Sequence, residues 1–146
     1  MFSISFTAST FGQASADLRV SLTSFVAGQP ATTLASQLVA ANSFQDGSIN
    51  NHDTFSHTID FTNANLQLEA NTQYALVFSS DTPDANYRIY GNSEGYLQGA
   101  NYFSQNGSEF SLRSGDLFFQ VETGIPAPSS LALISLAALT ATRRRR

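Results

Sequence analysis

Phe2-Ser3-Ile4-Ser5-Phe6 alternates apolar and polar side chains at every step. A period of two places Phe2, Ile4 and Phe6 on one face of an extended strand and the two serines on the other. The pattern recurs along the chain. Leu18, Val20 and Leu22 make a second apolar row leading to Phe25, and Phe55, His57, Ile59 and Phe61 a third. Tyr74, Leu76 and Phe78 make a fourth, with Ala75 and Val77 on its reverse face, and Tyr87, Ile89 and Tyr90 follow. Leu117 to Val121 is a near-continuous apolar run that closes the domain, and Leu34 to Ala41 reads as a strand or a short helix.

Turn chemistry punctuates these rows. Gly28-Gln29-Pro30, Asp46-Gly47, Asn50-Asn51 and Glu69-Ala70-Asn71 are turn signals, Asp81 to Ala85 is a loop holding Pro83, and residues 91–115 are rich in Gly and Asn. Short strands between turn signals about 8–12 residues apart predict an all-β sandwich or barrel.

The first 124 residues suit one domain, large enough to bury a core without staples. Cys is absent, which excludes a disulfide framework and any Cys-ligated metal. Lys is absent too, and residues 1–124 hold three Arg against eleven acidic side chains, a net of −8. So acidic a domain argues against nucleic acid as a partner.

The end of the chain has a different composition. Ile125-Pro126-Ala127-Pro128-Ser129-Ser130 precedes an apolar run, Leu131 to Thr142, and then Arg143, Arg144, Arg145 and Arg146. The prolines enforce an extended approach, and Ser129 or Ser130 is suited to cap a helix. Twelve helical residues reach about 18 Å, short of the roughly 30 Å of a hydrocarbon core, which suits a processed hydrophobic segment better than a permanent span. The four arginines would stay cytoplasmic. The competing reading, a buried C-terminal helix, would normally show a polar face, and here only Ser135 and two Thr interrupt the run.

This segment resembles a PEP-CTERM sorting signal of Gram-negative bacteria, which has a Pro-Glu-Pro motif, a transmembrane-like helix and an Arg-rich end. The resemblance covers residues 125–146. It implies that Pro126, Ala127 and Pro128 form the motif, with Ala127 where the family has Glu, and that Arg143 to Arg146 form the membrane stop. It implies two partners, an exosortase and the inner membrane. Residues 2–122 resemble, more weakly, the β-sandwich domain of the choice-of-anchor group of exported proteins, which is jelly-roll-like and similar to carbohydrate-binding modules. The matching stretches are Asn71 to Phe78, Asn86 to Gly91, Tyr96 to Tyr102 and Ser114 to Gln120. On that alignment Ser3 to Phe6 falls on an internal strand. Met1 to Phe6 also lacks the basic and apolar regions of a signal peptide. The expected fold is therefore an all-β, jelly-roll-like antiparallel β-sandwich over residues 1–124, lacking its N-terminal strand and a signal peptide, followed by the sorting segment 125–146 with its C-terminal hydrophobic helix over Leu131 to Thr142.

Candidate chemistry is sparse. Gly91-Asn92-Ser93-Glu94-Gly95 fits G-x-S-x-G, but no helix follows and His52 and His57 lie upstream, so a Gly-rich loop is the better reading. His52, Asp53 and His57 are a poor metal set, because residues five apart on a strand face opposite ways, and His57 is in phase with Phe55 and Ile59. Glu94 and Glu109 are the carboxylates near the aromatic loops. A hydrolase would need a defined separation between them that sequence does not establish. Asp81, Asp84 and Asn86 offer oxygen ligands in one loop and form the candidate site for a structural Ca²⁺, with ordinary turn chemistry as the alternative. Otherwise no cofactor and no metal is expected. Tyr87, Tyr90, Tyr96 and Tyr102 with Asn86, Asn92 and Asn101 form the candidate glycan-binding set, since sugar rings stack on aromatic faces while amides bond hydroxyls. The alternative is that these tyrosines are packing residues. The functional expectation is an exported, non-catalytic surface or matrix protein, with a carbohydrate-binding module for exopolysaccharide as the runner-up and a hydrolase third.

Overall fold

The computed structural model describes residues 2–47, 55–82, 86–92, 100–105 and 107–123. Their regular structure is almost wholly extended. Eleven strands follow in order: β1 (Phe2–Thr10), β2 (Leu18–Val26), β3 (Gln29–Val39), β4 (Ser56–Asp60), β5 (Tyr74–Ser80), β6 (Tyr87–Ile89), β7 (Gly91–Asn92), β8 (Asn101–Phe103), β9 (Ser111–Arg113), β10 (Asp116–Leu117) and β11 (Phe119–Thr123). Two single-turn 3₁₀ segments, Ala41–Ser43 and Thr62–Ala64, are the helical elements among the described residues. The fold is all-β and every strand pair is antiparallel.

β1 is the middle strand of its sheet. It pairs with β11 on one side and β4 on the other, and β6 takes over its last three residues. Its apolar row explains this central place. Phe2, Ile4, Phe6 and Ala8 are all buried, so the strand is useful only where the core is thickest. The second sheet runs β3-β2-β5, and Val20 stands opposite Phe78 and Leu22 opposite Leu76. The inward rows of the two sheets meet in one core, where Phe6 meets Phe78 edge-on at 4.9 Å and Ile59 of β4 joins them. Phe44 and Phe61 close the ends of this core.

Local chemistry sets the connections. β2 and β3 are joined through Ala27 and Gly28, both at positive φ (54° and 82°), the backbone of a two-residue primed hairpin turn. The turn thus falls one residue earlier than Gly28-Gln29-Pro30 suggests. Pro30 sits inside β3 opposite Phe25, tolerated because β3 is an edge strand among the described residues. Leu34 to Ala41, ambiguous between strand and helix in sequence, is strand as far as Val39, and Ala41 begins a 3₁₀ turn: Ala35 faces the core opposite Leu22, while Ser36 bonds Ser21 on the reverse face at 2.9 Å. The run from Leu117 to Val121 is not one strand. β10 pairs with β7, Phe118 donates its N–H to the Tyr90 carbonyl at 2.9 Å, and β11 then pairs with β1. The chain changes partner at Phe118, between the β10–β7 pair and the β11–β1 pair.

Candidate functional site

The far end of β1 borders a concave surface. Thr10, at that end, donates its N–H to the Gln45 carbonyl at 3.0 Å and accepts from the Gly47 N–H at 2.9 Å. The Asp46 carboxylate accepts from the Gly12 N–H at 3.0 Å, and the Asp17 carboxylate accepts from the Ala41 N–H at the same distance. These bonds hold the loop after β1 and the loop after β3 side by side. Between them lies an open groove of about 440 Å³ lined by Thr10, Gln13, Asn42, Phe44 and Asp46 together with small residues.

Beneath the groove the packing is aromatic. Phe44 is buried against His57 at 4.2 Å and against the Tyr87 ring at 4.9 Å, and His57 stacks on Phe6 at 5.6 Å. His57 Nε2 is buried with no hydrogen-bond partner, and burial lowers the imidazole pKa below its ordinary 6.5. The Tyr87 hydroxyl donates to the Ala16 carbonyl, and burial, followed by the nearby Asp17 charge, raises its pKa above 10.0. Gly47 permits the closest approach in this region. A Cβ there would lie 2.5 Å from Ser9 Oγ and 2.9 Å from the Tyr90 hydroxyl.

The described residues of the candidate glycan-binding set fall on different strands and faces. Register pairs Thr10 with Tyr87 and Ala8 with Ile89, which turns Tyr87 toward the core. Ser9 pairs with Arg88 on the reverse face, and there the Tyr90 hydroxyl bonds Ser9 Oγ at 2.8 Å. Tyr87 and Tyr90 therefore do not present one stacking platform. Tyr102 packs on Phe25 of β2 at 5.6 Å, and Asn101 pairs with Arg113 in the β8–β9 ladder. Asn86 takes a left-handed φ of 54°, is exposed, and accepts the Phe11 N–H on its carbonyl. Asn92 pairs with Asp116 through β7. Tyr96 lies outside the described residues, as do Ser93, Glu94, His52 and Asp53.

In the candidate Ca²⁺ loop, Asp81 faces Arg19 across 3.5 Å, the Asn86 backbone carbonyl accepts the Phe11 N–H, and Asp84 lies outside the described residues. Among the described residues no three His, Asp or Glu come together as metal ligands. Glu109 is exposed. His57 stands in phase with Ile59, as its spacing predicts, and faces aromatic rings. The groove itself was not legible: Asp46-Gly47 signals a turn, but nothing local says that this turn is stitched to Thr10.

The sorting segment, with Pro126, Ala127, Pro128 and Arg143 to Arg146, lies outside the described residues. Among those described, no helix is long and apolar enough to cross a membrane. No family model, no curated protein and no solved structure matches this chain.

Proposed function

We propose that this chain is an exported protein of the cell surface or extracellular matrix with a non-catalytic, structural or adhesive role. Residues 1–124 form a jelly-roll-like sandwich and residues 125–146 act as an exosortase-type sorting signal. The observation that carries the reading is the juxtaposition in one chain of an acidic, Cys-free β domain and a Pro-x-Pro, apolar, Arg-rich tail. The tail's four positive charges would hold its end on the cytoplasmic side while the domain lies outside. Intact-mass analysis of the native protein, with fractionation of the cell, tests it. A form in the envelope or medium that ends near Pro126 is expected. A form that still ends at Arg146 and stays in the cytoplasm would refute it.

The groove favours a second reading, retention of exopolysaccharide. Gln13 and Asn42 supply amides and Asp46 a carboxylate to the groove lining, a polar set suited to hydroxyl-rich ligands. Binding to a polysaccharide array that is lost in Asn42→Ala supports this reading, and no retention on any polysaccharide removes it.

A further inference from the structure

β11 carries apolar side chains on the core face of its sheet that the core does not cover. Register sets Phe119 opposite Phe6 and Val121 opposite Ile4. Directly opposed residues of an antiparallel pair share a face. Phe6 and Ile4 are each 1% exposed, whereas Phe119 is 49% and Val121 43% exposed. The opposing sheet therefore covers β1 and stops short of β11. Singly exposed apolar residues are ordinary, but two side by side in line with the core row make a continuous uncovered strip.

The chain runs on from this strip. β11 ends at Thr123, opposite Phe2, and twenty-three residues follow. We propose that the apolar run Leu131 to Thr142 of the same chain docks on the Phe119–Val121 strip while the protein is in water. The dimensions agree. The seven residues 124–130 span up to about 23 Å when extended, enough for the run to return over the strand it left. A twelve-residue helix is about 18 Å long and the five residues of β11 about 17 Å. Charge agrees as well. The domain's net −8 attracts the Arg143 to Arg146 cluster. Docking removes apolar surface from water on both partners at once. It also shields the hydrophobic run until a membrane competes for it.

The inference goes beyond the sorting role and does not need it, since a tail that is never processed would dock in the same way. The chain contains no Trp, so Leu136→Trp in the full-length protein reports the environment of the run alone. Short-wavelength emission is expected in detergent-free buffer, unchanged on dilution. It should move to the wavelength of a solvent-exposed indole when Phe119→Asp and Val121→Asp are added. Solvent-like emission in the parent, emission insensitive to the Asp pair, or emission that changes on dilution because a second copy supplies the contact would each overturn the proposal. Because the Asp pair could disturb β11 itself, a second variant is independent of it. The chain has no Cys, and Val121→Cys with Leu136→Cys should be joined within one chain by a short thiol crosslinker, read by intact mass. Crosslinks only between chains, or none, would count against docking. Neither measurement depends on processing at the envelope, so failure here and failure of the sorting reading are separately visible.

Discussion

Phe6→Ala is the sharpest perturbation of the two-sheet packing. The ring is 1% exposed, meets Phe78 of the facing sheet at 4.9 Å and stacks on His57 at 5.6 Å. Truncating a fully buried Phe forfeits its transfer free energy and leaves a cavity, about 3–5 kcal/mol in all. A domain of this size is stable by about 5–15 kcal/mol, so the change removes a third or more of a typical value. Urea unfolding of the full-length chain, read as a shift in midpoint at constant slope, measures it. Leu38→Ala is the control. Leu38 lies on the reverse face of β3 opposite Arg19 and is half exposed, so its loss should cost about 1 kcal/mol or less. A Phe6/Phe78 double-mutant cycle adds the contact across the sheets, expected to couple by about 0.5–1.5 kcal/mol. If Phe6→Ala costs no more than Leu38→Ala, or the cycle shows no coupling, the sheets do not share this core and the reasoning fails.

His57 makes stability pH-dependent. Burial lowers its folded-state pKa below the ordinary 6.5 of the unfolded chain, so the native state binds fewer protons. Its contribution is complete above about pH 6.5 and is lost as the pH falls from there toward the folded pKa. The urea midpoint of wild type relative to His57→Phe should therefore drop between pH 8 and pH 5, and parallel profiles would contradict the assignment. Gly47→Ala should cost about 1–3 kcal/mol, because the new Cβ meets Ser9 Oγ and the Tyr90 hydroxyl. Ser9→Ala in that background should recover part of the loss, and an additive pair in urea unfolding would show that the contact is not the cause. Ala27→Asn should stabilise by about 0.5–1 kcal/mol, since Ala27 holds a left-handed φ in a turn that favours Asn-Gly. A lowered midpoint in urea would show that the turn is not of the primed type.

Strand identity and facing were readable wherever a two-residue period was clean. Phe2 to Phe6, Leu18 to Leu22, His57 to Ile59 and Tyr74 to Phe78 all form strands with the apolar row turned inward, because a side chain's direction on a strand depends only on parity. Composition likewise excluded disulfides and Cys-ligated metals with no reference to structure. What parity does not contain is which strand lies beside which. Tertiary structure alone put β1 in the middle of its sheet, split Leu117 to Val121 between two partners, and stitched Asp46-Gly47 to the end of β1 across more than thirty residues. It also separated Tyr87 from Tyr90, neighbours in sequence that look alike as ligand residues. Their surroundings are set by β1, some eighty residues away, through the buried Thr10 row on one face and the Ser9 row on the other. Local pattern is a property of consecutive residues, whereas sheet order and site geometry depend on which distant rows best bury one another, a comparison made only in the folded chain.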